Sequence, residues 1–282
     1  MLTLGMPTLL ETPSIEECAA LCASLGLNFI ELNMNLPQYQ TGQIDVAHFT
    51  ALAHQYGIFY TIHLDENTNV CDFNPLIADG YMRTVENTIA LAKRLSVPVI
   101  NMHLANGVYF TLPDSDRKGK RGGKVYLFSE YKERYLARMV EFRKRCEMLC
   151  TDGSGADVKI CIENCDGYKD FQIEALNILL ASPVFGLTFD IGHNRGADNA
   201  DEAWILWHRE RLYHMHMHDA VGKRNHLALG QGEFCMHMDS GGMLPIERYL
   251  TLAKEQRCRI VLETKTVEGL TQSVDYLRQH WI

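Results

Sequence analysis

Short apolar runs recur along this chain, separated by longer stretches with helical spacing. The runs predict strands at about residues 2–5, 28–32, 58–63, 98–103, 158–163, 185–190, 211–216 and 259–263. Between the first two, Ile15, Cys18, Ala19, Cys22 and Leu25 share one helical face. Ser14 and Glu17 form a capping box ahead of that helix, and Gly26 stands where it should stop. Met82, Val85, Ile89 and Ala92 make another stripe, and Tyr135, Met139, Phe142, Cys146 and Leu149 a longer one. Ile246, Tyr249, Leu250 and Ala253 predict a seventh helix, and Leu270, Val274, Leu277 and Trp281 the last.

Eight strands alternating with helices predict parallel pairing through right-handed crossovers. An open doubly wound sheet competes with a closed barrel. No G-x-G-x-x-G follows the first strand, which weakens the dinucleotide-binding form of the open sheet. Six of the runs also end alike. They read Tyr60-Thr-Ile-His63, Ile100-Asn-Met-His103, Ile160-Cys-Ile-Glu163, Leu187-Thr-Phe-Asp190, Tyr213-His-Met-His216 and Ile260-Val-Leu-Glu263. An open sheet would spread these endings apart. A closed barrel gathers them at the C-terminal rim of its strands. The expectation is an α/β chain, a single-domain (β/α)8 TIM barrel over residues 1–282.

The length of 282 residues suits one such barrel, which takes about 250. Two insertions break the rhythm, at residues 104–127 and 217–244, and both should hang over the rim. The first contains Arg117-Lys-Gly-Lys-Arg-Gly-Gly-Lys124, a solvated loop or a lid that meets an anionic substrate. The net charge of −8 disfavours general binding to nucleic acid or to an anionic membrane. No uncharged apolar stretch is long enough for a membrane-spanning helix, and the N-terminus has no signal-peptide pattern. Nine cysteines form no paired framework and predict free thiols in a reducing cytoplasm.

Glu163 and Glu263 each end an apolar strand, where an unpaired carboxylate is costly to bury. Structural ion pairs with Lys265 and Arg259 are the plain alternative. Asp190 and His216 end strands in the same way, which favours a shared site. Glu163, Asp190, His216 and Glu263 make a four-ligand, mostly oxygen set suited to Mn²⁺, Mg²⁺, Co²⁺ or Zn²⁺. His63 and His103 could hold a second ion, with Glu163 bridging. His193, three residues past Asp190, could bind metal or a substrate hydroxyl. Strand alternation puts His214, His216 and His218 on one face. His214 reads as a deeper barrel side chain, His218 as a loop residue, and Asp219 as an outer partner for a ligand histidine.

Together these residues resemble the xylose isomerase-like TIM-barrel superfamily. It includes sugar phosphate isomerases/epimerases, ketose 3-epimerases and the endonuclease IV type of apurinic endonuclease. The motifs are Ile162-Glu163-Asn164, Asp190-Ile-Gly-His193, His216-Met-His-Asp219, His226-Leu-Ala-Leu-Gly-Gln-Gly232 and Leu262-Glu263. The resemblance implies that Glu163, Asp190, His216 and Glu263 are the principal ligands of a divalent metal. It implies that Glu163 and Glu263 are also the acid/base pair, and that His193 binds substrate in epimerases or a further zinc in endonucleases. His63 and His103 match ligands of another endonuclease zinc. The endonuclease pattern expects an Asp two residues before the late-loop His. Here Arg224 precedes His226, and a cation cannot ligate zinc. Arg224 and His226 instead suit a substrate hydroxyl or phosphate, as in the epimerase branch.

The expectation is a cytoplasmic, metal-dependent isomerase or epimerase of a sugar or sugar phosphate, able to form a homo-oligomer. It would act by proton transfer through an enediolate. A multi-zinc phosphodiesterase acting on abasic DNA and a non-catalytic sugar-binding barrel are the alternatives.

Overall fold

A computed structural model describes residues 2–105, 107, 109–111, 124–151, 157–235 and 244–281. Eight parallel strands close into a barrel. They are β1 (Thr3–Pro7), β2 (Phe29–Asn33), β3 (Phe59–His63), β4 (Val99–His103), β5 (Lys159–Glu163), β6 (Phe185–Asp190), β7 (Leu212–Met217) and β8 (Arg259–Leu262). Each pairs with its neighbours in sequence, and β1 pairs with β8 to close the ring. Every apolar run is therefore a barrel strand, displaced by at most two residues at an end.

The helices take the expected faces. Ser14 caps Ile15–Ser24 in a reciprocal pair with Glu17, and Gly26 follows at φ 64°. Met82, Val85, Ile89 and Ala92 are buried in Pro75–Arg94. Tyr135, Met139, Phe142 and Cys146 are buried in Lys132–Cys150. Ile246–Gln256 and Val267–His280 bury their apolar stripes likewise. None of the described helices is long and apolar enough to cross a membrane.

The two ends of the barrel differ in chemistry. At the N-terminal end Phe29 stacks on Phe59 at 5.0 Å, and Arg259 lies over the Phe59 ring. Toward the C-terminal end many of the buried residues are polar: Glu31, His63, Asn101, Glu163, Thr188, Asp190 and His216. A packed plug below and a polar rim above is the arrangement that concentrates function at the strand ends.

Both insertions follow rim strands. Tyr109–Thr111 pairs antiparallel with Lys124–Tyr126, and Asp219–Val221 pairs antiparallel with Arg224–Leu227. Most of the basic run 117–124 lies outside the described residues, and so does the proposed lid contact. Eight of the nine cysteines are free thiols.

Candidate functional site

The strand register brings the rim residues together. His103 is level with Glu163, and Asp190 with His216. Glu163, Asp190, His216 and Glu263 each offer a ligand atom, all within 4.8 Å of one another. His216 Nδ1 lies 2.9 Å from Glu263 Oε2, 3.3 Å from Glu163 Oε1 and 3.8 Å from Asp190 Oδ2. All four residues are buried.

Three of the facing atoms have no hydrogen-bond partner: Glu163 Oε1, His216 Nδ1 and Glu263 Oε2. Orphaned polar atoms are costly unless something charged lies between them. Hard carboxylate oxygens and one imidazole nitrogen suit a divalent cation. The residues present therefore fit a metal.

Each ligand-type side chain is held from outside. Asn101 donates to Glu163 Oε2, and Lys265 lies 2.9 Å from Glu263 Oε1. The plain ion pair of Glu263 with Lys265 thus exists, but it uses one oxygen and leaves the other facing His216. Asp190 Oδ1 caps the short helix Ile191–Gly196 by accepting from the His193 N–H at 2.6 Å. Asn164 exchanges two hydrogen bonds with the Asp190 main chain, each 2.9 Å, and ties the end of β5 to the end of β6. These partners turn each carboxylate toward the centre.

Glu31 is the residue that sequence reasoning missed. It is 1% exposed inside the barrel. Its Oε1 lies 2.8 Å from His214 Nε2 and 3.1 Å from the Thr61 hydroxyl. Its Oε2 lies 2.8 Å from His216 Nε2, a charge contact off the axis of the N–H. The signal was present in Phe29-Ile-Glu-Leu-Asn33, a lone carboxylate inside an apolar strand. His214 sits below His216 in the barrel, as its position in the strand predicts.

His63 and His103 face the other side of Glu163. Their Nε2 atoms lie 3.3 and 3.5 Å from Glu163 Oε2. His63 Nδ1 lies 2.7 Å from the Leu64 carbonyl, which directs Nε2 toward Glu163. His193 Nδ1 lies 3.3 Å from Asp190 Oδ2 and 3.5 Å from Glu163 Oε1. His226 joins from the late hairpin, with Nδ1 3.1 Å from the Glu263 carbonyl oxygen.

Arg224 is exposed on the same hairpin. A cavity of about 500 Å³ opens beside His193, and Lys223 and Asn225 line it with Cys165, Asp166 and Asp198. Lys223, in the turn before the strand, and Asn225 form the walls, while Arg224 does not line the cavity. Asp219 accepts from the N–H groups of Ala220, Gly230 and Phe234. It shapes the loop, and among the described residues its carboxylate holds no histidine, contrary to expectation. A Cβ on Gly232 would come within 2.2 Å of its Oδ1, so the turn needs glycine there.

The electrostatics follow from burial and pairing. Burial alone would raise the pKa of Glu163 and Glu263, but His216 outweighs it and holds both well below the usual range. Burial raises Asp190 too, and His193 and His218 outweigh it. Burial alone would lower His216, and Glu163, Glu31 and Glu263 push it well above the usual value instead. Burial works against a charge on His103, yet Cys165 and Glu163 raise its pKa. His226 moves the other way, to about 4, because burial dominates. The carboxylates are therefore ionised at neutral pH and available to a cation.

The family model for the xylose isomerase-like TIM barrel matches residues 19–280. No curated protein matches the sequence. Among solved structures, a D-tagatose 3-epimerase-like protein is 20% identical with a TM-score of 0.74, covering 99% of this chain and 97% of its own. The 3-keto-D-glucoside 4-epimerase from E. coli is 12% identical with a TM-score of 0.68, covering 99% and 98%. The D-allulose 3-epimerase from Methylomonas sp., bound to D-allulose, is 16% identical with a TM-score of 0.66, covering 99% and 97%. At these identities the likeness is one of fold.

Proposed function

This chain belongs to the xylose isomerase-like TIM barrel family, and from that premise we propose that it is a divalent-metal-dependent isomerase or epimerase of a sugar or sugar phosphate. The observation that carries the reading is the convergence of unpartnered Glu163, His216 and Glu263 atoms, with Asp190 beside them. A divalent ion held by these four would supply positive charge to a substrate carbonyl and its neighbouring hydroxyl.

Glu163 and Glu263 act as the acid/base pair. One takes the proton α to the carbonyl, leaving an enediolate, and the other returns a proton. Return to the opposite face of the same carbon is epimerisation, and return to the neighbouring carbon is isomerisation. Both carboxylates have lowered pKa values, so either can be the base, and the one that returns a proton first takes it from solvent. Asn101 and Lys265 hold the outer oxygens and direct the inner ones. His193 and His226 bind substrate hydroxyls at the edge of the cavity. Lys223 and Arg224 supply cations there for a phosphate.

The test is turnover of a panel of ketoses and their phosphates in deuterated water. A product carrying deuterium at the reacting carbon supports the reading. Metal-loaded protein that converts nothing in the panel refutes it and favours a non-catalytic sugar-binding barrel. The proximity of His63 and His103 to Glu163 favours one second reading, hydrolysis of a phosphodiester with two or more ions. Nicking of an abasic duplex, with no sugar turnover, would establish that reading instead.

A further inference from the structure

His218 is a buried histidine that the proposed chemistry does not use. It follows β7 and has no solvent exposure. Its two ring nitrogens have different partners. Nδ1 lies 2.8 Å from the main-chain nitrogen of His226. A main-chain N–H can only donate, so Nδ1 is the bare, accepting nitrogen. The longer contact of Nδ1 with the Asp219 carbonyl, 3.3 Å, cannot then be a hydrogen bond. The ring proton is on Nε2, which lies 3.1 Å from each oxygen of Asp190. One imidazole ring thus bridges the late hairpin and a ligand-type carboxylate.

The packing leaves little freedom for this ring. It lies tilted against His226 with centroids 4.3 Å apart. Gly192 also lies against it, where a Cβ would come within 2.0 Å of His218 Cε1. The turn that begins at Asp190 therefore provides the space for the ring as well as the carboxylate it holds. His226 has φ 56°, a conformation rare for a residue with a side chain, and its N–H contact with His218 helps hold it there.

We propose that His218 is a positioning residue that couples placement of the late hairpin to orientation of Asp190. The two contacts share one ring, so moving the hairpin moves the proton donor of Asp190. A substrate that engages His226 would thereby tighten the metal site, and metal at Asp190 would order the hairpin. The proposal rests on the reading of Asp190 as a metal ligand.

The test uses Zn²⁺ titration and amide hydrogen exchange, and needs no turnover. Three variants separate the contacts. His218→Phe keeps the ring and removes both. His218→Asn places a carbonyl near the position of Nδ1, and His218→Gln places an amide near that of Nε2. In the natural chain zinc should slow exchange across residues 224–229. His218→Phe should lose that slowing and weaken zinc binding on the order of 10–100-fold. His218→Asn should weaken zinc similarly while keeping His226 protected in zinc-free protein. His218→Gln should hold zinc more tightly than His218→Asn while leaving the His226 amide fast to exchange.

Zinc affinity or zinc-induced slowing unchanged in His218→Phe would overturn the proposal. If that variant does not fold, equal zinc affinity in the other two would do so. A natural chain that takes up no zinc would also overturn it. Zinc-loaded protein that shows the coupling but turns over no sugar would refute only the isomerase reading.

Discussion

His216 Nδ1 faces Glu263 Oε2 at 2.9 Å, and both atoms are buried without a hydrogen-bond partner. The carboxylates around this imidazole raise its pKa well above the usual value, so its proton occupies the place a metal needs. Metal must displace that proton. Apparent metal affinity should therefore rise with pH, by roughly tenfold per unit for one displaced proton, while His216 is still protonated. Calorimetric titration in buffers of different ionisation enthalpy measures the proton released. Affinity flat between pH 6 and pH 8 would exclude His216 Nδ1 as a ligand.

The same ion pairs set the acid stability of the metal-free protein. Glu31, Glu163 and Glu263 have lowered pKa values because the histidine charges outweigh burial. Their stabilisation is complete above the unfolded value, about 4.3, and is lost as pH falls through the lower folded values. His216 has the opposite sign. Its contribution is complete below about 6.5 and is lost as pH rises through its raised value. Melting temperature should therefore fall on both sides of an intermediate optimum, as thermal scans across pH would reveal.

Glu31→Ala should be among the most damaging single changes to the fold. It leaves His214 and His216 buried without their shared carboxylate. Breaking a buried ion pair by removing one partner costs about 3–5 kcal/mol. Urea unfolding of the metal-free protein measures it. A loss under about 1 kcal/mol would mean the carboxylate is not paired in solution.

Glu263→Gln should separate binding from chemistry. At saturating metal, turnover should fall by about 10²–10⁴-fold, the range for losing an acid/base group. Lys265 keeps a neutral oxygen partner, so the fold should change little. Turnover within an order of magnitude of the natural chain would remove Glu263 from the acid/base pair.

His63 and His103 decide the metal count. If they hold a second ion with Glu163, the purified protein carries more than one equivalent, and replacing both with Ala removes the excess. One equivalent that survives both substitutions assigns them to substrate or structure.

The hairpin cations decide the substrate class. Lys223→Ala should raise KM for a sugar phosphate more than for the neutral sugar, because only the phosphate loses a charge-assisted contact. Arg224→Ala should do so less, since its neighbour forms the cavity wall. Equal effects of Lys223→Ala on both substrates would mean that no phosphate binds there.

The barrel and the convergence of its rim were legible in the sequence because both depend on local, periodic signals. Apolar runs gave the strands, helical stripes gave the covering layer, and His63, His103, Glu163, Asp190, His216 and Glu263 stood at or beside strand ends. Only the closed structure decided the rest. Glu31 lies 183 residues from His214 in sequence, and curvature of the barrel places their side chains 2.8 Å apart. His218 reads as a loop residue from its position, but the folded hairpin and Gly192 bury its ring against Asp190. The choice between Lys223 and Arg224 as the cavity wall rests on the twist of a short hairpin after Asp219. Sequence periodicity specifies which side of an element faces inward. Which elements meet, and at what height, is set by closure of the sheet and by turns whose hydrogen bonds span the chain.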